Sequence, residues 1–213
     1  MIFRKQGRVM NEIGNSHIAV GGEFTNIFDH ETFLSMLNST DEAGVALKFH
    51  LIMEEVLNIW CAKVAGVDDL FSDLDFVPFK TKLQIAKNLG MGDDLFRVFS
   101  KLNVIRNKYS HRLKFKVSRE DLESLMTLID NSVPEAKVLS CSEFVIESSG
   151  LDQDSVRVNQ VHGWSSSSSK KLFIMCALLT IKATFWIQGE FNKRGIQYTL
   201  IAGLPQPAGQ LQP

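Results

Sequence analysis

Cysteine is scarce in this chain and poorly placed for chemistry. The three cysteines among 213 residues, Cys61, Cys141 and Cys176, are odd in number and far apart. No CxxC pair or His/Cys cluster accompanies them, which excludes a disulfide framework and a zinc site of the usual spacing. That usage suits a reducing compartment, and a cytoplasmic location is expected. A long hydrophobic run is also missing. The longest, Leu172–Ile181, is interrupted by Lys182 before Ala183–Ile187. It is short for a membrane span, so a buried core helix is expected and a membrane is not an expected partner. The first 17 residues are basic in places but hold no apolar h-region, so they do not read as a signal peptide. Gly21-Gly22 is followed by no Gly-Lys-Ser/Thr, which leaves a turn and not a phosphate loop. There is no internal repeat, and no cofactor is expected.

The absence that matters most is local. Leu95–Ser118 contains no Asp or Glu, yet it carries seven of the chain's 23 Lys and Arg residues: Arg97, Lys101, Arg106, Lys108, Arg112, Lys114 and Lys116. The whole chain has a net charge of −1. A basic patch on an otherwise acidic protein is the electrostatic footprint of a phosphate-bearing partner, although many charge runs are simply solvated helix faces. Gly92, Asp93 and Asp94 supply a helix start with negative charge in its first turn. Apolar residues then recur at Leu95, Val98, Phe99, Leu102, Ile105 and Tyr109, a helical period. Arg106 falls on that apolar side, where a charge is costly unless paired or used. Asn107 and His111 are four apart and share a face. Histidine is the side chain whose ordinary titration lies nearest neutrality. Val104 and Phe96 lie opposite the main stripe and suggest a second packing surface, such as another subunit.

The remaining elements follow from caps and periodicity. Residues 1–28 read as an irregular arm, with a short strand at His17–Val20. Asp29 caps a first helix, Glu31–Leu37. Asp41 opens a long, densely apolar second helix running to about Val64, the mark of a bundle interior. His50 and Glu54 lie four apart on it, and Glu55 adjoins them. A metal or acid–base pair is one reading, but the pattern lacks the second histidine of a zincin, and a structural or surface pair is favoured. Residues 66–78 are an acidic connector closed by Pro78. Phe79–Leu89 is a third helix that Gly90 ends, and its short link to the basic helix predicts an antiparallel hairpin. Ser118 caps a further helix, Glu120–Ile129. Residues 29–135 therefore predict a mainly α fold, a bundle of four to five helices. Residues 136–168 predict an irregular connector, with short strands at Phe144–Ile146 and Val156–Val161 and a serine run at Ser165–Ser169. Residues 169–202 predict a last helix, Lys170–Phe191, packing on the bundle, with Ile196–Ala202 as a further strand. Residues 203–213 read as a disordered tail.

Arg106-Asn107-Lys108-Tyr109-Ser110-His111, at the end of the basic helix, resembles the Arg-polar…His motif of the HEPN superfamily. The resemblance implies a HEPN-like helical bundle and RNA cleavage without a metal. In that reading Arg106, Asn107 and His111 are catalytic. His111 acts as general base, or as acid to the leaving 5′-oxygen, and Arg106 stabilises the phosphorane-like transition state. Asn107 orients the phosphate or the arginine. Lys101, Lys108, Arg112 and Lys114 hold the RNA backbone and Tyr109 positions it or packs, while Glu54 or Glu55 approaches the motif from the early helix. Members of the family commonly act as homodimers. Many are toxins or phage-defence components neutralised by a minimal nucleotidyltransferase, so RNA, a second copy and such an antitoxin are the implied partners. Two alternatives stay open. One is a non-catalytic dimeric helical module that regulates, or binds nucleotide or nucleic acid; the other, more distant, is a metalloenzyme built on His50 and Glu54. In the non-catalytic case Arg106 snorkels or pairs with Glu54 or Glu55, and His111 merely caps its helix.

Overall fold

A computed structural model describes residues 2–5, 21–112, 114–151 and 157–199. The fold is mainly α. Helix α1 spans His30–Asn38, and the Asp29 carboxylate accepts from Thr32 N at 2.8 Å. Helix α2 spans Glu42–Ala65; Asp41 accepts from Ala43 N and Gly44 N at 3.0 Å each, and Gly66 closes the helix at φ 72°. Helix α3, Phe79–Asn88, starts behind Pro78. Helix α4 spans Asp93–His111 and α5 spans Arg119–Asn131, the latter capped by Ser118, which accepts from Asp121 N at 3.1 Å. Helix α6 is the longest, Ser168–Arg194, and ends at Gly195 with φ 65°. Asp29, Asp41 and Ser118 cap with side-chain oxygens and Gly90 takes a left-handed backbone, whereas Gly92 starts α4 at φ −59° with no side-chain bond.

The strands form one antiparallel sheet in the order β1-β2-β3, with β1 at Ile2–Lys5, β2 at Phe144–Leu151 and β3 at Arg157–His162. Ile2 pairs with Glu147 and Lys5 with Phe144, while Ile146 pairs with His162 and Leu151 with Arg157. The N-terminal arm expected to be irregular thus supplies an edge strand. β2 also runs five residues beyond its expected end, because β3 pairs along its far half, through Ser148, Ser149 and Gly150. Residues 196–199 form no strand. The strand expected at His17–Val20, the start of the one expected at Val156, residues 200–202 and the tail from 203 lie outside the described residues.

The core is built on α2 and α6. Trp60 of α2 meets Trp186 of α6 at 4.6 Å between ring centroids and stacks on Phe191 at 5.9 Å. Trp60 Nε1 donates to Ala86 O of α3 at 3.2 Å, so the indole satisfies its one donor while buried. By length and composition α6 is apolar enough to cross a membrane, and 78% of that apolar window is buried within the bundle.

Three cations of α6 tie three other helices to it. Lys170 donates to Leu37 O and Ser39 O at the end of α1. Lys182 donates to Ile129 O and Asp130 O at 2.8 Å each and to Ser132 O at 2.7 Å, at the end of α5. Arg194 donates to Leu89 O at 3.1 Å, at the end of α3. The three are twelve residues apart. That spacing turns each by about 120° and advances it by about 18 Å along the helix. A cation at a helix C-terminus meets orphan carbonyls and the negative end of the macrodipole together, so α6 caps three helices in three directions.

Candidate active site

The basic helix α4 is positioned by its apolar stripe. Leu95, Val98, Phe99, Leu102 and Ile105 are buried, which leaves the flank carrying Asn103, Arg106, Asn107 and His111 to face α2 and solvent. The helices run antiparallel: the Tyr109 hydroxyl, near the end of α4, donates to Glu42 Oε2 at the start of α2, at 3.1 Å. Burial, with the Glu42 charge added, pushes the Tyr109 phenol well above its ordinary range. Its ring packs edge-on against Phe115 at 4.8 Å. Tyr109 therefore fixes the end of the motif helix and spends its hydroxyl doing so.

Arg106 is half-buried. Its Nη1 donates to Asn107 Oδ1 at 3.2 Å, while its Nε is buried with no protein partner among the described residues. His111, the last residue of α4, is exposed. Asn107 and His111 are one turn apart on one face, about 6 Å between their Cβ atoms. Ser110 donates from its hydroxyl back to Arg106 O at 3.3 Å.

The supporting residues divide. Lys101 and Lys108 both reach Asp121 of α5, at 2.8 and 2.6 Å, and these two donors hold the Asp121 carboxyl below its ordinary range. Two lysines on one carboxylate leave one net positive charge. Arg112 and Lys114 are exposed beyond the helix end, and Lys114 sits in the left-handed region at φ 63°. Neither acidic residue expected from the early helix reaches the motif. Glu54 pairs with Lys82 of α3 at 2.9 Å, and Glu55 accepts from Asn58 at 3.1 Å. Glu55 also lines an open depression of about 660 Å³ with Glu23, Asn58 and Lys63, none of whose lining residues belongs to α4.

Besides Glu42, His50 of α2 also meets the motif helix. It is 3% exposed, its Nε2 lies 3.2 Å from Asn103 Oδ1, and its ring rests on Phe79 at 4.1 Å. Burial holds its pKa below the ordinary value, and the Arg106 charge adds to this. The i, i+4 spacing of His50 and Glu54 suggested a pair; their partners on α4 and α3 separate them, and a sequence alone carries no signal for Asn103. Among the described residues no group of three or more His, Cys, Asp or Glu side chains is arranged to hold a metal ion. The three cysteines are free and buried.

Beside this flank lie exposed apolar side chains: Leu47 and Leu51 on α2, the latter 54% exposed, and Val104 on α4, 49% exposed. Leu47, Leu51, Glu54 and Asn58 follow a 4-3-4 spacing on α2, as do Ser100, Val104, Asn107 and His111 on α4, the spacing of a helix-packing seam. No family model, curated protein or solved structure matches the chain.

Proposed function

We propose that the C-terminal half of α4 is the active site of a metal-independent endoribonuclease of the HEPN type. The observation that carries the reading is the pairing of a half-buried arginine still holding unused donors with an exposed histidine on the next turn, in the protein's most basic stretch. In the reaction the 2′-hydroxyl attacks the adjacent phosphorus. The 2′-O–P bond forms, the P–O5′ bond breaks, and the proton passes from the 2′-oxygen through the base and ends on the 5′-oxygen. The products are a 2′,3′-cyclic phosphate and a 5′-hydroxyl. His111 serves the proton transfers, and Arg106 offers a planar fork to two phosphate oxygens as charge builds. Arg112 and Lys114 hold the strand, with the remaining charge of the Lys101/Lys108 pair behind them. The requirement for a 2′-hydroxyl restricts the substrate to RNA.

A single histidine serving as both base and acid is a thin apparatus, and a homodimer bringing two motifs together supplies a second. The apolar stripe of Leu47, Leu51 and Val104 supports self-association on this face. A toxin or defence role, with a minimal nucleotidyltransferase as antitoxin, belongs to the same proposal.

A second reading has its own support. Lys101 and Lys108 are committed to Asp121, which thins the basic support around the motif and leaves room for a dimeric helical module that binds nucleic acid or nucleotide through Arg112 and Lys114 without cutting. The deciding experiment incubates total RNA in EDTA with the wild type, Arg106→Ala and His111→Ala. Cleavage by the wild type alone supports the nuclease. Salt-sensitive binding without cleavage in all three supports the module.

A further inference from the structure

Two buried polar atoms on facing helices lack a protein partner among the described residues: His50 Nδ1 on α2 and Arg106 Nε on α4. They are chemically complementary. His50 Nε2 faces the Asn103 amide oxygen at 3.2 Å, and that oxygen only accepts. The ring therefore carries its proton on Nε2 and presents a lone pair at Nδ1. Arg106 Nε–H only donates. Asn103 and Arg106 are three apart on α4, and the Arg106 charge is felt at the His50 ring. The imidazole, 3% exposed and set against Phe79, cannot turn to solvent to satisfy Nδ1. A buried acceptor and a buried donor both left unmade are unfavourable, and one bond between them removes both defects.

We infer that His50 is a positioning residue for Arg106: the two atoms are unbonded in the structure, and a small turn of the Arg106 side chain lets Nδ1 accept the Nε–H and, together with Asn107, lock the guanidinium at two points. The lock leaves the Nη1–Nη2 end of the fork to face a phosphate. Its purpose rests on the ribonuclease reading; its existence does not. The groups facing His50 are Asn103 and Arg106 from α4, Phe79 from α3 and Glu54 from its own helix, with the Glu54 charge held by Lys82 of α3. Protonating His50 removes the lone pair and places a second cation beside Arg106, so the lock opens in acid. Burial and the Arg106 charge oppose that proton, so the lock persists below the ordinary histidine range.

The test uses the intact protein and two variants. His50→Gln keeps an acceptor that does not titrate, and His50→Leu keeps the volume without an acceptor. The arginine Nε–Hε cross-peaks are followed by ¹⁵N NMR across pH, with the Arg106 peak identified by its loss in Arg106→Lys. The expected wild-type peak exchanges slowly with water and shifts as His50 titrates. It is slow and pH-independent in His50→Gln, and broadened by exchange in His50→Leu. Cleavage by His50→Leu falls by about tenfold or more, the scale of a hydrogen bond to a charged group, and His50→Gln loses the acid limb of the pH profile. An Arg106 peak identical in the wild type and a folded His50→Leu, or indifferent to His50 titration, overturns the inference. Should His50→Leu not fold, the wild-type titration against His50→Gln decides. Should the wild type cleave no RNA, the proposed activity fails while the cross-peak still decides the lock.

Discussion

Lys182 and Arg106 are both cations on helices packed into one bundle, and the fold treats them in opposite ways. Lys182 is 4% exposed and gives three hydrogen bonds to three carbonyls at the end of α5. An ammonium has three N–H donors, so none is left over. Burial still lowers its pKa, opposed by Asp130, Cys141 and Asp94. Among the described residues Arg106, with five donors, makes one bond, to a neutral amide, and its buried Nε is unbonded as the structure stands. A cation whose donors are all used holds structure together. A cation kept short of acceptors retains the capacity to bind something else, at a cost to stability. The contrast separates a cation whose donors folding has used from one with donors to spare.

The comparison can be broken experimentally. Replacing Lys182 with Met leaves three backbone acceptors and the nearby Asp130 uncompensated, so a loss of about 3–5 kcal/mol is expected, read as a lower midpoint in urea. Arg106→Ala should leave that midpoint nearly unchanged. If the arginine variant unfolds as readily as the lysine variant, Arg106 is structural and the contrast collapses. The activities should rank the other way. Arg106→Ala and His111→Ala should each slow RNA cleavage by about a hundredfold or more, measured by single-turnover assays on a short RNA in EDTA.

Acid should act on the α2–α4 side. Folded His50 binds a proton more weakly than the unfolded chain does, so the unfolded state takes up more protons as pH falls. Stability is then lost progressively from about pH 6.5 down toward the folded value, and His50→Gln should flatten that slope in melts between pH 7 and 5. The smallest effect is at Asp121. Its depressed pKa means that its contribution is present above the ordinary value of 3.8 and is lost as pH falls through the folded value. Asp121→Asn should cost about 1 kcal/mol at neutral pH. It should also free Lys101 and Lys108, which steepens the salt dependence of RNA binding.

Most of the helical frame was legible because its signals are local. Asp29, Asp41 and Ser118 bond to N–H groups two or three residues on, and Gly90 takes a backbone that other residues avoid; Gly66, which the sequence places in the connector, closes α2 in the same way. The strand at Ile2–Lys5 was not legible, since its partner lies some 140 residues away and four residues carry no period. The start of α6 within the serine run was missed by two residues, because serine signals a cap and a linker alike. In the motif region the helix, its buried stripe and its basic flank were all readable. The partners were not. Arg106, Asn107 and His111 were named, but the tie of Lys101 and Lys108 to Asp121 depends on how α5 packs. The meeting of His50 with Asn103 depends on the register between α2 and α4, and no spacing within one helix reveals that.

The three cations of α6 also impose an order in time. The helix that closes α1, α3 and α5 is the last of the six to leave the ribosome. Until Lys170, Lys182 and Arg194 emerge, three finished helices have open carbonyl ends, and the Trp60 side of α2 has no cover from Trp186 and Phe191. A chain ending before α6 is therefore expected to lack the closed core, which limited proteolysis of a truncation before Ser168 would show. The basic motif helix docks through α2, α3 and α5, so α6 bears on it chiefly through the neighbours that it caps and covers.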